Sequence, residues 1–133
     1  MECLRSVYWP DATDDHGVFS GSATAFVDWI VSLRPSRLRS AHQLANMLIR
    51  LEPRAARVET YFLALLRLRG PHGEPYDPSL AGRYLDRMEK RGDEWRIKTR
   101  VVVFDWSRQF EDAREWLPNA IGPSVATGPH PRA

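Results

Sequence analysis

The chain has 133 residues, of which 43% are hydrophobic, and this is enough for one domain with a buried core. Its only cysteine, Cys3, excludes an internal disulfide, and no stretch approaches the apolar length of a membrane span. The first residues also lack the basic and apolar regions of a secretory signal. We therefore expect a cytoplasmic protein with no membrane partner.

The formal net charge is +2, and nearly all of the positive charge is arginine, because Lys90 and Lys98 are the only lysines. Arginines alternate with acidic residues, as in the segment RYLDRMEKRGDEWR, instead of forming one basic block. Aromatic side chains are not interleaved with them as a base-stacking surface would require. We therefore expect no nucleic-acid partner.

The first third of the chain predicts a short helix, a hairpin and an amphipathic helix. Residues 2–8 read as a helix end stopped by Pro10, and residues 11–20 read as a tight hairpin. Apolar residues at spacings of three and four predict a helix over residues 22–33, with Ser22 or Thr24 as the N-cap.

The rest of the chain predicts antiparallel strands. Their expected ranges are 41–52, 55–69, 80–90 and 95–106, with a polar loop at 70–78. A helical start followed by strands without intervening helices predicts an α+β fold. We assign residues 1–116 to a single domain and residues 117–133, which are rich in Pro and Gly, to a flexible tail.

Strand alternation places His42, Leu44, Asn46 and Leu48 on one face of the first long strand. Glu59 and Tyr61 share a face of the next strand, and both faces of this pair are largely apolar. A sheet with two apolar faces needs cover on both sides. We therefore predict a homodimer formed through a sheet face.

His42 is the candidate general base, because imidazole titrates near neutral pH, although it could equally be a structural histidine. Asp14 or Asp15 could orient an imidazole, and His16 could contact a ligand. The alternative for these three neighbours is a purely structural role in a tight turn.

Other polar residues have weaker candidate roles. Asn46 and Tyr61 could polarise a substrate oxygen, and Glu59 could be a second acid or the cross-strand partner of an arginine. Asp86 and Asp105 lie in predicted strands, so we expect each to have an arginine or backbone partner. No motif indicates a metal, a nucleotide or covalent catalysis, and we predict no cofactor.

The order of these segments resembles a known family. The segment YWPDATDDHGVFSG precedes a helix with FVDW, a His-x-x-x-Asn strand at residues 42–46, the hairpin RYLDRMEKRGDEWRI and the strand VVVFDW. Over residues 4–107 this pattern is similar to SnoaL-like proteins of the nuclear transport factor 2-like superfamily.

The resemblance implies a cone-shaped α+β barrel, in which a curved antiparallel sheet wraps around helices and encloses a deep apolar cavity. Members include cofactor-independent dehydratases, dehydrochlorinases, isomerases and polyketide cyclases. In the dehydratase and dehydrochlorinase branch an Asp-His pair removes a proton from substrate carbon, and its histidine matches His42. The family's aspartate lies on a helix before the segment that starts at Tyr8, so we expect either a shortened chain or an upstream start.

Three functions follow as expectations. The first is a cofactor-independent lyase or isomerase acting on a small hydrophobic molecule, with His42 as general base. The second is a non-catalytic module that binds a ligand or another protein. The third is an accessory subunit of a larger enzyme.

Overall fold

The computed structural model describes residues 2–110. Two α-helices and six strands follow one another along the chain, with a short 3-10 turn at Arg34–Ser36. The helices and strands are α1 Glu2–Ser6, β1 Tyr8–Asp15, β2 Ser20–Ser22, α2 Ala23–Ser32, β3 Arg37–Glu52, β4 Ala55–Arg69, β5 Pro75–Arg91 and β6 Glu94–Phe110. The predicted tail at 117–133 lies outside the described residues.

The six strands form one sheet in the order β2-β1-β6-β5-β4-β3. All neighbours are antiparallel except β1 and β6, which run parallel. The predicted α+β class and the curved sheet of the cone fold are confirmed. The sheet does not close on itself, since β2 and β3 are its two edges.

Helix α2 begins and packs as its sequence predicts. The Ser22 side chain accepts a hydrogen bond from the Ala25 backbone N–H at 3.2 Å, so Ser22 is the N-cap. Ala23, Phe26 and Val27 are the buried residues of the helix, which packs mainly against β1 and β2. We call the sheet face that meets α2 the inner face, and the opposite one the outer face.

Two apolar clusters lie on the inner face. Near α2 the buried residues are Tyr8, Ala12, Ala23 and Ile97, and farther along the sheet they are Phe62, Ala64 and Val102. Among the described residues, neither helix is long and apolar enough to cross a membrane.

A β-bulge in β3 changes which residues face inward. Leu44 pairs with Phe62 and Met47 pairs with Thr60, so two β3 residues occupy the space of one on β4. The uninterrupted alternation predicted for this strand is therefore wrong beyond Leu44. Leu48 pairs with Glu59 on the outer face, whereas Met47 lies on the inner face.

Strand β5 starts earlier than the sequence predicts. The predicted loop at 70–78 ends at Glu74, and β5 already begins at Pro75 as the partner of Arg69. The pairing of β4 with β5 is interrupted between the pairs Leu65↔Ser79 and Leu68↔Tyr76. Pro78 lies in this gap, where its missing N–H costs no hydrogen bond between the two strands. The prediction of a loop over residues 75–78 is therefore wrong.

Candidate functional site on the inner face

A row of charged side chains crosses the inner face between the two apolar clusters. Asp14 on β1 pairs in register with Arg100 on β6, and Arg100 pairs with Asp86 on β5. Cross-strand neighbours share a face, so these three side chains form one row, which we call the inner charged row. Its charges alternate in sign along the row.

Asp14 is the most deeply buried member, with 0% of its surface exposed. The Tyr8 hydroxyl donates to Asp14 Oδ2 at 2.7 Å, and His16 Nδ1 is hydrogen-bonded to Asp14 Oδ1. Burial is the main reason why the pKa of Tyr8 is raised; Arg100 opposes the rise and the hydrogen bond to Asp14 adds to it. Tyr8 therefore remains a proton donor to Asp14 at neutral pH.

The carboxylate of Asp14 also fixes the orientation of His16. A carboxylate oxygen accepts, so Nδ1 is the donor of this hydrogen bond and Nε2 is the nitrogen left for another partner. Phe26 stacks on the imidazole with ring centroids 4.4 Å apart. Nε2 has no hydrogen-bond partner and is not buried, because no buried unpaired polar side-chain atom occurs in the described part of the chain.

The turn that follows explains why the sequence holds His16 at this point. Gly17 has φ 74°, a left-handed conformation that glycine adopts without strain, and its N–H donates to Asp15 Oδ1 at 2.8 Å. The predicted hairpin is confirmed, since Asp15 pairs with Ser20. Asp15 thus builds the turn, while Asp14 points inward.

Arg100, which is half-buried, and the buried Asp86 form a bidentate ion pair. Arg100 Nε and Nη2 each donate to a carboxylate oxygen of Asp86 at 2.7 Å, which confirms the expected arginine partner. Burial disfavours the charge on Arg100, but the hydrogen bonds and charge of Asp86 outweigh it, so the pKa of Arg100 is raised. The guanidinium also lies 4.3 Å from the ring centroid of Tyr84.

Tyr84 presents a hydroxyl group to the inner face. Its ring stacks on Phe62 with centroids 4.5 Å apart, while its hydroxyl makes no hydrogen bond to the described residues. Burial raises the pKa of Tyr84, although Arg100 opposes the rise. The hydroxyl is therefore a neutral donor available to a ligand.

His42 occupies a different part of the inner face. It pairs with Ala64, which is buried in the second apolar cluster, and it has no carboxylate partner among residues 2–110. The side chain is exposed on this edge strand, yet partial desolvation first, and then the charge of Arg37, lower the pKa of His42 below its ordinary value. His42 pairs with Ala64, and Asp86 of the inner charged row pairs with Val58. Ala64 and Val58 are about 20 Å apart along β4, so His42 and Asp14 are not brought into contact.

The remaining predicted residues lie away from this row. Glu59 forms an ion pair with Arg83 at 3.2 Å on the outer face, as one alternative anticipated. Tyr61 is also on the outer face, with Arg83 5.7 Å from its ring centroid. Asn46 lies in the bulge of β3, and Asp105 binds Arg83 at 3.3 Å.

Sequence analysis did not identify Tyr8, Tyr84 and Arg100 as parts of a site. The placement of Arg100 beside Asp14 depends on the parallel pairing of β1 with β6, which local patterns do not reveal. Alternation along β1 was the available signal, because Tyr8, Ala12 and Asp14 share its buried face. No group of three or more metal-ligating side chains occurs within residues 2–110.

Comparison with protein families gives one match, to a family described as SnoaL-like domain, over residues 1–101. No curated protein is detectably similar in sequence to this chain.

Solved structures support the fold. A type 2 hexachlorocyclohexane dehydrochlorinase (LinA) superposes with a TM-score of 0.76 at 18% identity, covering 87% of this chain and 79% of that one. A scytalone dehydratase-like protein from Novosphingobium aromaticivorans has a TM-score of 0.71 at 20% identity, covering 90% and 80%. The protein Kfla4162 from Kribbella flavida has a TM-score of 0.70 at 12% identity, covering 81% and 78%.

Proposed function

Because the chain belongs to the SnoaL-like domain family, we propose that its inner face binds a small, largely apolar molecule and acts as a cofactor-independent lyase or isomerase. In this reaction a histidine removes a proton from substrate carbon. The observation that supports the proposal best is the Asp14–His16 pair, a buried carboxylate holding an imidazole whose second nitrogen is open.

His16 has the geometry of a general base. Its Nε2 would take the proton, and Asp14 would stabilise the positive charge that the ring acquires. The hydroxyl of Tyr84 would donate to a substrate oxygen or leaving group, where negative charge develops. Elimination or isomerisation needs no more than these roles.

His42 is the competing base. The family motif supports it, and its neutral ring could accept a proton at pH 7. It lacks a carboxylate within the described residues, so a substrate group would have to stabilise its charged form. Both histidines lie on the inner face, and kinetics can separate them.

The test uses hexachlorocyclohexane and scytalone, the substrates named for two similar proteins, followed by related small molecules with an acidic C–H. With any substrate that turns over, we expect His16→Ala and Asp14→Asn to lower kcat by at least about a hundredfold, the usual contribution of a general base. His72→Ala, in the exposed turn before β5, is the matched control and should leave kcat unchanged.

His42→Ala decides between the two bases. If it abolishes turnover in a folded protein while His16→Ala does not, the base is His42 and the role of His16 is structural. Unchanged turnover in both variants would refute histidine catalysis at this face.

A second candidate function is binding without conversion. The inner face of β3 supports it, because Leu44 and Leu51 there are 62% and 73% exposed, so apolar surface is available to a ligand. This function predicts saturable binding of an apolar ligand that neither His16→Ala nor His42→Ala abolishes. An accessory role would instead require co-purification of a larger enzyme subunit.

We also propose that two copies associate through the outer face. Exposed apolar side chains support this there, namely Tyr61, Val101 and Trp106. Val101→Asp should then convert a dimer to a monomer in analytical ultracentrifugation. A monomeric wild-type chain would refute the dimer and leave the inner-face proposal unaffected.

A further inference from the structure

Three arginines stand side by side on the outer face, where like charges would ordinarily be avoided. Arg50 on β3 pairs in register with Arg57 on β4, and Arg57 pairs with Arg87 on β5. Directly opposed residues have Cβ atoms about 5 Å apart, and like charges at that distance destabilise a sheet. We call these residues the arginine row.

The arginine row is poorly neutralised within the chain. Arg57 is 3.6 Å from Glu52 and Arg87 is 3.8 Å from Glu89, both beyond hydrogen-bond length. Arg50 makes no ion pair or hydrogen bond with any residue of the described range. By contrast, the Arg100–Asp86 pair is bidentate at 2.7 Å.

The row lines an open groove of about 610 Å³. Leu48 and Leu85 form apolar parts of its wall, and Thr99, the cross-strand neighbour of Arg87, adds a hydroxyl at one end. This volume is in the range of small-molecule sites. Guanidinium groups bind phosphate oxygens in pairs, more specifically than an ammonium group does.

Neighbouring carboxylates limit the size of the anion. Glu52 and Glu89 lie on the side of the β-turns, and Glu59 lines the groove beyond the row. The positive strip therefore spans three strands, about 10 Å at the usual strand spacing, and acidic groups flank it. Such a strip accommodates one phosphate group, whereas the repeating charges of a nucleic acid would meet the carboxylates.

We propose that the arginine row binds the phosphate of a small phosphate monoester whose apolar part lies on Leu48 and Leu85. This site is on the outer face, so it does not depend on the inner-face function. Sulfate esters share the chemistry but carry a single charge, and the experiment below separates them.

The experiment is isothermal titration of the full-length chain with phenyl phosphate, at constant ionic strength. Binding in the millimolar range or tighter is expected, with phenyl phosphate stronger than inorganic phosphate because of the apolar wall. Phenyl sulfate should bind more weakly. Equal affinity for phenyl and inorganic phosphate would overturn the role of the two leucines.

Variants test the arginines directly. Arg57→Gln with Arg87→Gln should weaken phenyl phosphate binding by about tenfold, given the modest strength of exposed charge pairs. Arg39→Gln, on β3 but outside the groove, is the matched control and should retain the wild-type affinity. Equal losses in the control would indicate general charge attraction and overturn the proposal, as would no saturable binding by the wild type.

Arg50→Gln covers the case in which the double variant does not fold. The Arg50 side chain makes no hydrogen bond or ion pair within the described residues, so the fold should be kept and only phosphate affinity should fall, by about threefold. Unchanged affinity in this variant would show that the row does not act as one site.

Discussion

Tyr8→Phe tests how strongly the inner charged row is held together. The Tyr8 hydroxyl and Asp14 are both buried, at 4% and 0% exposure, and their oxygens are 2.7 Å apart. A hydrogen bond to a charged group typically contributes about 1.5–3 kcal/mol, so we expect the variant to lose about 2 kcal/mol of unfolding free energy. For a domain of this size, that corresponds to a Tm lower by about 8 °C.

The same variant makes a prediction about pH. The pKa of Tyr8 is raised in the folded state, so its stabilising contribution is complete below the unfolded pKa, near 10, and is lost as the pH rises above it. Between about pH 8 and pH 11, wild type should lose about 1.4 kcal/mol more than Tyr8→Phe, which cannot ionise. The difference between the two proteins should thus fall from about 2 to about 0.6 kcal/mol.

Urea denaturation at both pH values measures this difference. Tyr84, whose pKa is also raised, is present in both proteins, and its contribution cancels. Tyr76→Phe is the matched control, because no side-chain hydrogen bond of Tyr76 occurs in the described range. A loss below about 0.5 kcal/mol near pH 8, or a difference that does not change with pH, would refute the reasoning.

Three further predictions concern the inner face. Asp86→Ala should cost about 2 kcal/mol because it removes both hydrogen bonds of the half-buried Arg100, and adding Arg100→Met should recover part of the loss in denaturant unfolding. A double variant no more stable than the single one would contradict this. Gly82→Ala places a Cβ 2.1 Å from a backbone carbonyl oxygen of β6, so we expect the Tm of this variant to fall. A Tm within about a degree of wild type would contradict this. Arg37→Gln should raise the pKa of His42 toward its ordinary value, as measured by an NMR titration. Because the pKa is lowered in the folded state, any stability that His42 contributes is present above the ordinary pKa of the unfolded chain and declines as the pH falls below it.

Local signals in the sequence were sufficient for α2 and for the hairpins, whereas the helix predicted over residues 2–8 ends at Ser6, and Tyr8 and Pro10 belong to β1. Ser22 caps α2, and the Gly92 turn joins β5 to β6 with φ 62°, both as short-range patterns indicate. Two features were not predictable in this way. Pro78 reads as a loop residue because its tolerance in β5 depends on the interrupted partner strand, and the β3 bulge appears only once Leu44 and Met47 are paired with β4.

The candidate site was predictable only in part. Asp14 and His16 are close in sequence, so their pairing was within reach of local reasoning. Their connection to Arg100 requires strands that are separated by most of the chain. Glu59 and Tyr61 were correctly placed on a shared face of β4. Which face of the sheet is the inner one, however, is known only from the packing of α2 against the sheet.

The electrostatics of the inner face distinguish its two histidines. His16 Nδ1 is hydrogen-bonded to the buried carboxylate of Asp14, which also accepts a hydrogen bond from the Tyr8 hydroxyl. A proton taken up by His42 meets partial burial and the charge of Arg37, both of which oppose it. His16 therefore has a carboxylate that orients its ring, whereas His42 has none within the described residues and would serve as a base only if the substrate supplied the compensating negative charge.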